Sequence, residues 1–318
     1  MVKHVELGKT GLQVPDVALG VMRIADKTAA EADAVIQTAL DHQINFFDTA
    51  DIYAGGRSST TLGDSLARLN VKREDIILQS KGGIIIEKGQ INGDGLKGPR
   101  YDFSKEHLIA AAEIELKRLR TDYLDVFLLH RPDTLLDPEG VAEAFASLKA
   151  AGKVRHFGVS NMNPWQVELV QSAIDEPLVA NQLQFGIMHT GMIDSEFHVN
   201  MSDERSIDHD GGILAYSRLK KMTIQAWSPF QYGFFEGPFI DNPKFATLND
   251  KLAELADKYG VSKNAIAVAF ITYHPAKMQA ILGSMNPERL AEMMAADQVS
   301  LTNQEWYDIY FAAGNDLP

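Results

Sequence analysis

Eight short apolar runs, rich in Val, Ile, Phe and Leu, recur along this chain of 318 residues, and segments with helical periodicity fill the intervals between them. Strands this apolar are typical of parallel strands that helices cover on both faces. Eight successive βα units predict an α/β fold, a (β/α)8 TIM barrel that forms one domain over residues 1–318. The runs comprise residues 17–20, 44–48, 76–81, 125–130, 156–161, 178–182, 223–228 and 279–284.

Several segments lie outside the strands and helices of this repeat. Residues 3–14 are typical of a β-hairpin that turns at residues 8–11, and we expect this hairpin to cap the bottom of the barrel. Residues 302–313 open with the capping box of Thr302 and Glu305 and carry an apolar stripe, which predicts an extra C-terminal helix. Three long connections are predicted to form functional loops over the barrel mouth, at residues 82–103, 183–207 and 229–244.

The composition excludes several classes of function. A total of 30 Lys and Arg against 43 Asp and Glu gives a net charge of −13, which disfavours partners such as nucleic acid or an acidic membrane surface. The chain has no cysteine, so disulfides, thiolate metal centres and cysteine nucleophiles are excluded. His189, His198 and His209 lack the spacing of metal ligands, and we expect no metal site. Without a secretory signal or a run of 18 apolar residues, a cytoplasmic protein is expected.

Polar and aromatic side chains end the predicted strands. Because the active site of a (β/α)8 barrel forms at the carboxyl ends of its strands, these side chains are expected to converge. Each has an ordinary structural explanation when taken singly, such as a helix cap or a solvated charge, but their joint placement favours a site. They are Asp48, Lys81, His130, Asn161, Gln182, Trp227 and Ser284, with Tyr53 five residues beyond Asp48.

This set of side chains suits the donation of a proton to an oxyanion. The phenol of Tyr53 has an ordinary pKa of about 10, and a lysine ammonium close to its oxygen would favour loss of the proton. A carboxylate such as Asp48 would keep the buried Lys81 charged and aimed at the phenol. A neutral His130 could hydrogen-bond the carbonyl of a substrate and share its developing negative charge.

Five motifs follow the predicted strands in order: FDTADIY at 47–53, SK at 80–81, LHRPD at 129–133, GVSN at 158–161 and AWSP at 226–229. In this order and spacing they resemble the motifs of the aldo-keto reductases, and the similarity covers essentially the whole chain. His-Arg-Pro-Asp at 130–133 and Ser-Asn-Met-Asn-Pro-Trp at 160–165 are similar to a bacterial branch of that family, composed of NADP-dependent oxidoreductases.

The resemblance implies hydride transfer from NADP(H), or alternatively NAD(H), to the carbonyl of a small aldehyde or ketone. It implies that Tyr53 donates the proton, that Lys81 and Asp48 tune it, and that His130 orients the carbonyl. Ser160, Asn161 and Gln182 would bind the carboxamide of the nicotinamide, and Trp227 would stack on its ring. The further cofactor-binding residues that it implies are Gly20, Met22, Arg23, Ser228, Pro229, Phe230, Gly283, Ser284, Met285, Arg289, Glu292 and Met293.

The segment that would hold the adenine end departs from the family pattern at two positions. Many members have lysine where this chain has Gly283, and asparagine or glutamine where it has Met293. Arg289 could still form a bidentate contact with the 2′-phosphate. The resemblance therefore implies a moderate preference for NADPH over NADH.

Two other functions are compatible with a chain of this fold class. The chain could instead be an interaction protein on the same scaffold, as potassium-channel β subunits are, with little turnover, because fold alone does not decide function. A metal-dependent hydrolase or aldolase would need more carboxylate or histidine ligands than Asp48 and His130.

Residues 93–98 match G-x-G-x-x-G, but no apolar strand precedes them and Pro99 follows, which is the wrong context for a dinucleotide fingerprint.

Overall fold

The computed structural model describes residues 2–86 and 99–318. Its strands, numbered along the chain, are β1 (His4–Glu6), β2 (Gln13–Pro15), β3 (Val17–Gly20), β4 (Phe46–Asp48), β5 (Ile77–Gly82), β6 (Ile84–Ile85), β7 (Arg100–Tyr101), β8 (Leu124–His130), β9 (Val154–Ser160), β10 (Ala180–Gln184), β11 (Thr223–Trp227), β12 (Gln231–Tyr232), β13 (Gly237–Pro238) and β14 (Gln279–Leu282). Its helices are α1 (Ala29–Asp41), α2 (Arg57–Arg68), α3 (Lys105–Leu119), α4 (Pro138–Ala150), α5 (Pro164–Gln171), α6 (Gly191–Phe197), α7 (Ile213–Lys220), α8 (Ala246–Tyr259), α9 (Lys263–Thr272), α10 (Pro287–Met294) and α11 (Asn303–Ala312).

Within the described residues, eight parallel strands close into a barrel and helices surround them, which confirms the predicted (β/α)8 fold. The order around the barrel is β3, β4, β5, β8, β9, β10, β11 and β14, and β14 pairs with β3 to complete the circle. Each predicted apolar run contributes one of these strands. The largest difference is at β10, which spans Ala180–Gln184 rather than 178–182, because its pairing with β11 continues to Gln184 opposite Trp227.

The N-terminal hairpin of β1 and β2 closes the bottom of the barrel, as expected. Its turn places Leu7 in a fully buried cluster with Phe46 and Val126 of the barrel strands. The amide of Gly8 donates to Thr223 Oγ1 over 2.8 Å, at the start of β11. Gly8 has a φ of +58°, and a Cβ at this position would lie 2.8 Å from the Cα of Val179. Only glycine permits such a close backbone approach.

The helices begin at the predicted caps and bury their apolar stripes against the barrel. Asp137, Asn163 and Asn286 cap α4, α5 and α10, each followed by proline at the first helical position. The extra helix α11 starts after the capping box of Thr302 and Glu305, as predicted. It buries Trp306, whose ring stacks on Phe270 of α9 with the ring centroids 4.7 Å apart.

The three long connections differ from one another in structure. In the first, β6 pairs with β7, and the G-x-G-x-x-G segment at 93–98 lies outside the described residues. The connection at 229–244 folds into the small hairpin of β12 and β13. The segment 183–207 is predicted to form a mouth loop; within the described residues none of it lines the central cavity, and its start meets the neighbouring connection where Gln184 donates to the Gly233 carbonyl. The segment contains α6, whose Asp194 accepts a 2.7 Å hydrogen bond from Tyr310 of the C-terminal helix.

The described residues show two features that bear on membrane and metal binding. In the parts at 2–86 and 99–318, no helix combines the length and the apolar character needed to cross a membrane. The same residues contain no group of three or more His, Asp or Glu side chains arranged to hold a metal ion.

Candidate active site

A cavity of about 1120 Å³ opens at the carboxyl ends of the barrel strands. It is larger than the roughly 300–1,000 Å³ typical of pockets for small ligands. With two exceptions, every residue predicted for catalysis or cofactor binding lines this cavity. The exceptions are Lys81 and Glu292. Lys81 is fully buried beneath the cavity floor, and the carboxylate of Glu292 accepts a hydrogen bond from Asn264, which itself lines the wall.

Lys81 joins the predicted catalytic residues into one hydrogen-bonded unit. Its ammonium donates to Asp48 Oδ2 at 2.8 Å, to the Thr49 carbonyl at 2.7 Å and to the phenolic oxygen of Tyr53 at 3.2 Å. These three contacts satisfy all three donors of the ammonium. A fully buried charge of this kind is tolerated only when it is paired and hydrogen-bonded. The position of the ammonium between carboxylate and phenol is therefore strongly determined.

The backbone that carries Tyr53 is fastened to the neighbouring strand. After β4, the amide of Thr49 donates to the Gln79 carbonyl and the amide of Asp51 donates to the Lys81 carbonyl, at 3.0 and 3.1 Å. Tyr53 then opens a short turn in which Ala54 adopts a φ of +50°. Since an unstrained chain avoids this conformation at a residue other than glycine, the turn is held in place by its surroundings. The loop thus places the phenol over Lys81.

Burial and charge act on Tyr53 in opposite directions. Burial raises the pKa of the phenol above its ordinary value, and the charge of Lys81 offsets only part of that rise. The predicted effect of Lys81, which favours loss of the proton, is present, but the cost of a buried phenolate is larger and leaves the net pKa above its ordinary value. Burial lowers the pKa of Lys81, but Asp48 and Tyr53 outweigh it and the pKa lies above its ordinary value. At neutral pH the phenol keeps its proton and the amine keeps its charge.

His130 is a neutral imidazole beside this unit. Burial lowers its pKa well below the ordinary 6.5, and the charges of Lys81 and Arg131 act in the same direction. Its ring lies edge-on to the ring of Tyr53, with centroids 5.9 Å apart. Among the described residues, Nδ1 is buried without a hydrogen-bond partner. A neutral imidazole next to the phenol can hydrogen-bond an uncharged carbonyl without introducing a second buried charge.

A chain of buried glutamine amides supports Asp48 from inside the barrel. Gln79 and Gln182 both donate to Asp48 Oδ1, at 2.7 and 3.0 Å. Gln79 and Gln225 exchange hydrogen bonds, Gln225 donates to Gln279, and Gln279 donates to the Pro15 carbonyl at the barrel bottom. The sequence reasoning identified only Gln182 among these amides. The sequence signal that could have identified the other three glutamines is a polar residue inside an otherwise apolar strand.

A second buried network, also missed from the sequence, lies on the other side of Lys81. Glu115 of α3 is fully buried and accepts hydrogen bonds from Ser59 at 2.6 Å and Ser80 at 2.7 Å. It also pairs with Arg118, whose guanidinium donates to the Asp51 carbonyl at 2.8 Å. Glu115 falls seven residues after Leu108, on the apolar face of its helix. A charged residue on that face is the sequence signal that could have revealed the network. The network anchors the loop that carries Tyr53.

The residues predicted to hold the carboxamide lie side by side. Asn161 donates to Ser160 Oγ at 2.7 Å and accepts from the indole of Trp227 at 3.0 Å. Both amide hydrogens of Gln182 are directed to Asp48 and Gln225, so its carbonyl oxygen is the atom that it can offer to a ligand. Phe235, which the sequence reasoning did not select, packs against the indole of Trp227.

The far end of the cavity is open to solvent. Arg289 is exposed on α10, and among the described residues its guanidinium has no hydrogen bond or ion pair. Its backbone amide is bound by the capping side chain of Asn286. Ser284 lies half-buried nearby, and Arg23 reaches to 4.0 Å from where a Cβ on Gly283 would stand. This end presents the exposed guanidinium groups of Arg289 and Arg23 to a ligand, with the hydroxyl of Ser284 beside them.

Comparison with known proteins agrees with this geometry. A model described as the Aldo/keto reductase family matches residues 16–310. The chain belongs to the aldo/keto reductase family. Members of this family use nicotinamide cofactors.

Two curated proteins and one solved structure are similar to this chain over nearly its whole length. It is 35% identical to the oxidoreductase YcsN of Bacillus subtilis, over 96% of this chain and 97% of that protein. It is 32% identical to a 6-dehydroglucose reductase of Agrobacterium fabrum, over 95% of each. An aldo-keto reductase from Klebsiella pneumoniae, solved in complex with NADPH, has the same fold with a TM-score of 0.74 at 23% identity, covering 97% of this chain and 94% of the other.

Proposed function

We propose that this protein reduces the carbonyl group of a small aldehyde or ketone, using NADPH in preference to NADH. The observation that carries the proposal is the Lys81 ammonium, which bridges the carboxylate of Asp48 and the phenol of Tyr53 under the floor of the cavity. This arrangement couples a protonated acid to a fixed positive charge at the place where an oxyanion would develop.

In the proposed reaction, the nicotinamide supplies a hydride to the carbonyl carbon when it is bound. The carbonyl oxygen accepts hydrogen bonds from Tyr53 and from His130, which hold it in place. As negative charge builds on that oxygen, Tyr53 gives up its proton, and the adjacent Lys81 stabilises the phenolate that remains. Asp48 keeps Lys81 charged and in position throughout. His130 stays neutral, in accord with its low pKa.

The fit of the cavity to a dinucleotide supports the choice of cofactor. Its volume, about 1120 Å³, exceeds the needs of a small substrate alone. Ser160, Asn161 and the Gln182 carbonyl would bind the carboxamide, and Trp227 would stack on the nicotinamide ring. At the open end, the unpaired guanidinium of Arg289 suits a 2′-phosphate, while Gly283 supplies no second cation. We therefore expect a moderate preference for NADPH.

A rival function is a cofactor-binding interaction protein on the same scaffold. The complete hydrogen-bonded unit at Tyr53 favours turnover, because a protein that only binds the cofactor has no need of a buried proton donor and its charge partner. The two functions differ in one readily measured property, which is the rate of NADPH consumption in the presence of a carbonyl compound.

The experiment is to follow the absorbance of reduced nicotinamide while the protein is mixed with NADPH or NADH and a panel of aldehydes and ketones. The proposal expects carbonyl-dependent oxidation of NADPH, slower oxidation of NADH at equal concentration, and loss of both in Tyr53→Phe. Tight binding of NADPH without turnover of any compound would favour the interaction protein. Turnover that is unchanged in Tyr53→Phe would contradict the assigned proton donor.

A further inference from the structure

One charged side chain at the cavity has no function in the reaction proposed above. Arg131 directly follows His130 at the end of β8, lines the cavity and is half-buried. Among the described residues, its guanidinium makes neither a hydrogen bond nor an ion pair. Half-buried arginines normally direct some of their five donors to a partner. An unused guanidinium inside a binding cavity is therefore a candidate for contact with a ligand.

The backbone at Arg131 points to the same conclusion. Its φ of +72° lies in the left-handed region, and Asn161 and Ser228 share this conformation at +56° and +50°. All three directly follow barrel strands and line the cavity. Asparagine tolerates this conformation, but arginine has no intrinsic preference for it, and such strain is concentrated at functional sites.

The surroundings of Arg131 place its charge next to the reacting carbonyl. The guanidinium carbon lies 5.7 Å from the ring centroid of Trp227. Its positive charge also acts on Tyr53 and on His130, the two groups that face the carbonyl oxygen. Ile52 and Ile84 contribute apolar surface to the same cavity. A short carbon chain on this surface could connect a carbonyl at Tyr53 to an anionic group at Arg131.

We propose that Arg131 binds an anionic group of the substrate, so that the preferred substrates are aldehydes or ketones with a carboxylate or a phosphate a few carbons from the carbonyl. The inference rests on the proposed carbonyl reduction and names its substrate class. The planar guanidinium matches either anion with two parallel hydrogen bonds. Because the chain carries a net charge of −13, an anionic substrate needs a local cation at the site to offset the general repulsion.

The test compares matched pairs of substrates in the wild-type protein and in Arg131→Gln. The carboxylate pair is 4-oxobutanoate and butanal, and the phosphate pair is glyceraldehyde 3-phosphate and glyceraldehyde. Arg131→Gln is expected to lower kcat/KM for the anionic member of at least one pair by about 10- to 100-fold, and to change the neutral member less than about threefold. The pair that responds identifies the anion. Arg218→Gln removes an exposed charge on α7 outside the cavity and is expected to change neither member.

Binding to the NADPH-loaded protein, measured by calorimetry, separates this inference from the proposed function. The probes are 4-hydroxybutanoate and glycerol 3-phosphate, which are the expected products, with 1-butanol and glycerol as neutral controls. Weaker binding of an anionic probe to Arg131→Gln supports the subsite, even if no aldehyde is reduced and the proposed reaction fails. Arg131→Lys keeps the charge but loses the planar guanidinium that donates two parallel hydrogen bonds, so it is expected to bind the anionic probe with intermediate affinity.

Three results would overturn the inference. The first is an equal effect of Arg131→Gln on neutral and anionic members of both pairs. The second is unchanged binding of both anionic probes. The third is a loss of NADPH affinity in Arg131→Gln with no change in affinity for the anionic probes, which would place Arg131 on the cofactor instead.

Discussion

The two ends of the cavity are constructed differently. Around Tyr53, the charged pair of Lys81 and Asp48 is buried and has fixed partners: Lys81 has three acceptors, and Asp48 receives hydrogen bonds from Lys81, Gln79 and Gln182. Around Arg289, the side chains face solvent, and the structural contacts come mainly from the backbone of the capped helix α10. One end is organised before any ligand arrives, whereas the other offers groups that a ligand would organise.

This difference matches the different requirements of proton transfer and phosphate binding. Proton transfer depends on distances of a few tenths of an ångström and on pKa values, both of which a buried network controls. Capture of a phosphate depends mainly on charge, and a flexible exposed arginine is sufficient for it. Substitutions at the buried end should therefore change the rate and the stability, and substitutions at the open end should change the affinity for the cofactor.

The largest effect is expected from Tyr53→Phe. The substitution removes the proton donor but keeps the ring beside His130, so kcat should fall by about 10²- to 10⁴-fold, the usual contribution of general acid catalysis. The dissociation constant for NADPH should change little. Steady-state kinetics and fluorescence titration measure the two quantities. Near-normal kcat would show that the buried unit does not supply the proton.

Arg289→Ala should have the next largest effect, confined to the cofactor. Loss of a charged hydrogen bond to the 2′-phosphate should weaken binding of NADPH by about 1.5–3 kcal/mol. Binding of NADH and kcat at saturating cofactor should be nearly unchanged, because the residue is exposed on α10 and lies outside the hydrogen-bonded unit of Tyr53, Lys81 and Asp48. Calorimetric titration with both cofactors checks this prediction. An equal loss for NADPH and NADH would remove the distinction between the two ends.

A smaller effect is expected from Glu115→Gln. The change leaves hydrogen-bonding capacity toward Ser59 and Ser80 but removes the charge that holds Arg118, so the free energy of unfolding should fall by about 1–2 kcal/mol. Because Arg118 holds the loop of Tyr53, kcat should fall severalfold with little change in KM. Glu113→Gln, on the same helix and paired with Lys153 at the surface, is the matched control. Chemical denaturation and kinetics that show no difference between the two variants would contradict the anchoring role.

Much of the fold could be predicted from the sequence because its signals are local. Each barrel strand is an apolar run, and caps such as Asn163 with Pro164 mark the helix starts directly. The packing of the connection at 183–207 could not be predicted, because length alone does not show where a segment packs. Its Asp194 binds Tyr310, which is 116 residues away in the sequence. Contacts of this range leave no periodic pattern in either segment.

The candidate site was predictable to the extent that strand ends reveal it. Asp48 and His130 could be placed at the barrel mouth because they end predicted strands. The full burial of Lys81 could not be predicted, because burial depends on packing from all sides. Glu292 is predicted to contact the cofactor, and the sequence does not show that its carboxylate accepts a hydrogen bond from Asn264 in the cavity wall. The net direction of the Tyr53 pKa could not be predicted, since the cost of burial is not visible in a list of neighbouring charges.

The measurement that tests the central claim most directly is the pH dependence of carbonyl reduction from pH 5 to 11, in the wild-type protein and in Lys81→Met. The wild-type rate should show no limb near pH 6.5, because burial keeps the pKa of His130 well below that value. It should decline only at alkaline pH, where Tyr53 loses its proton. Without the charge of Lys81, the pKa of Tyr53 rises further, so the alkaline limb should move to higher pH and the maximal rate should fall.

Asp48→Asn should give the same changes more weakly, because Lys81 remains but is held less firmly. That ranking, with Lys81→Met more affected than Asp48→Asn and both more affected than the wild-type protein, is the result that the account predicts. An unchanged alkaline limb and full activity in Lys81→Met would contradict it, and would mean that the proton comes from a group other than a Tyr53 tuned by Lys81.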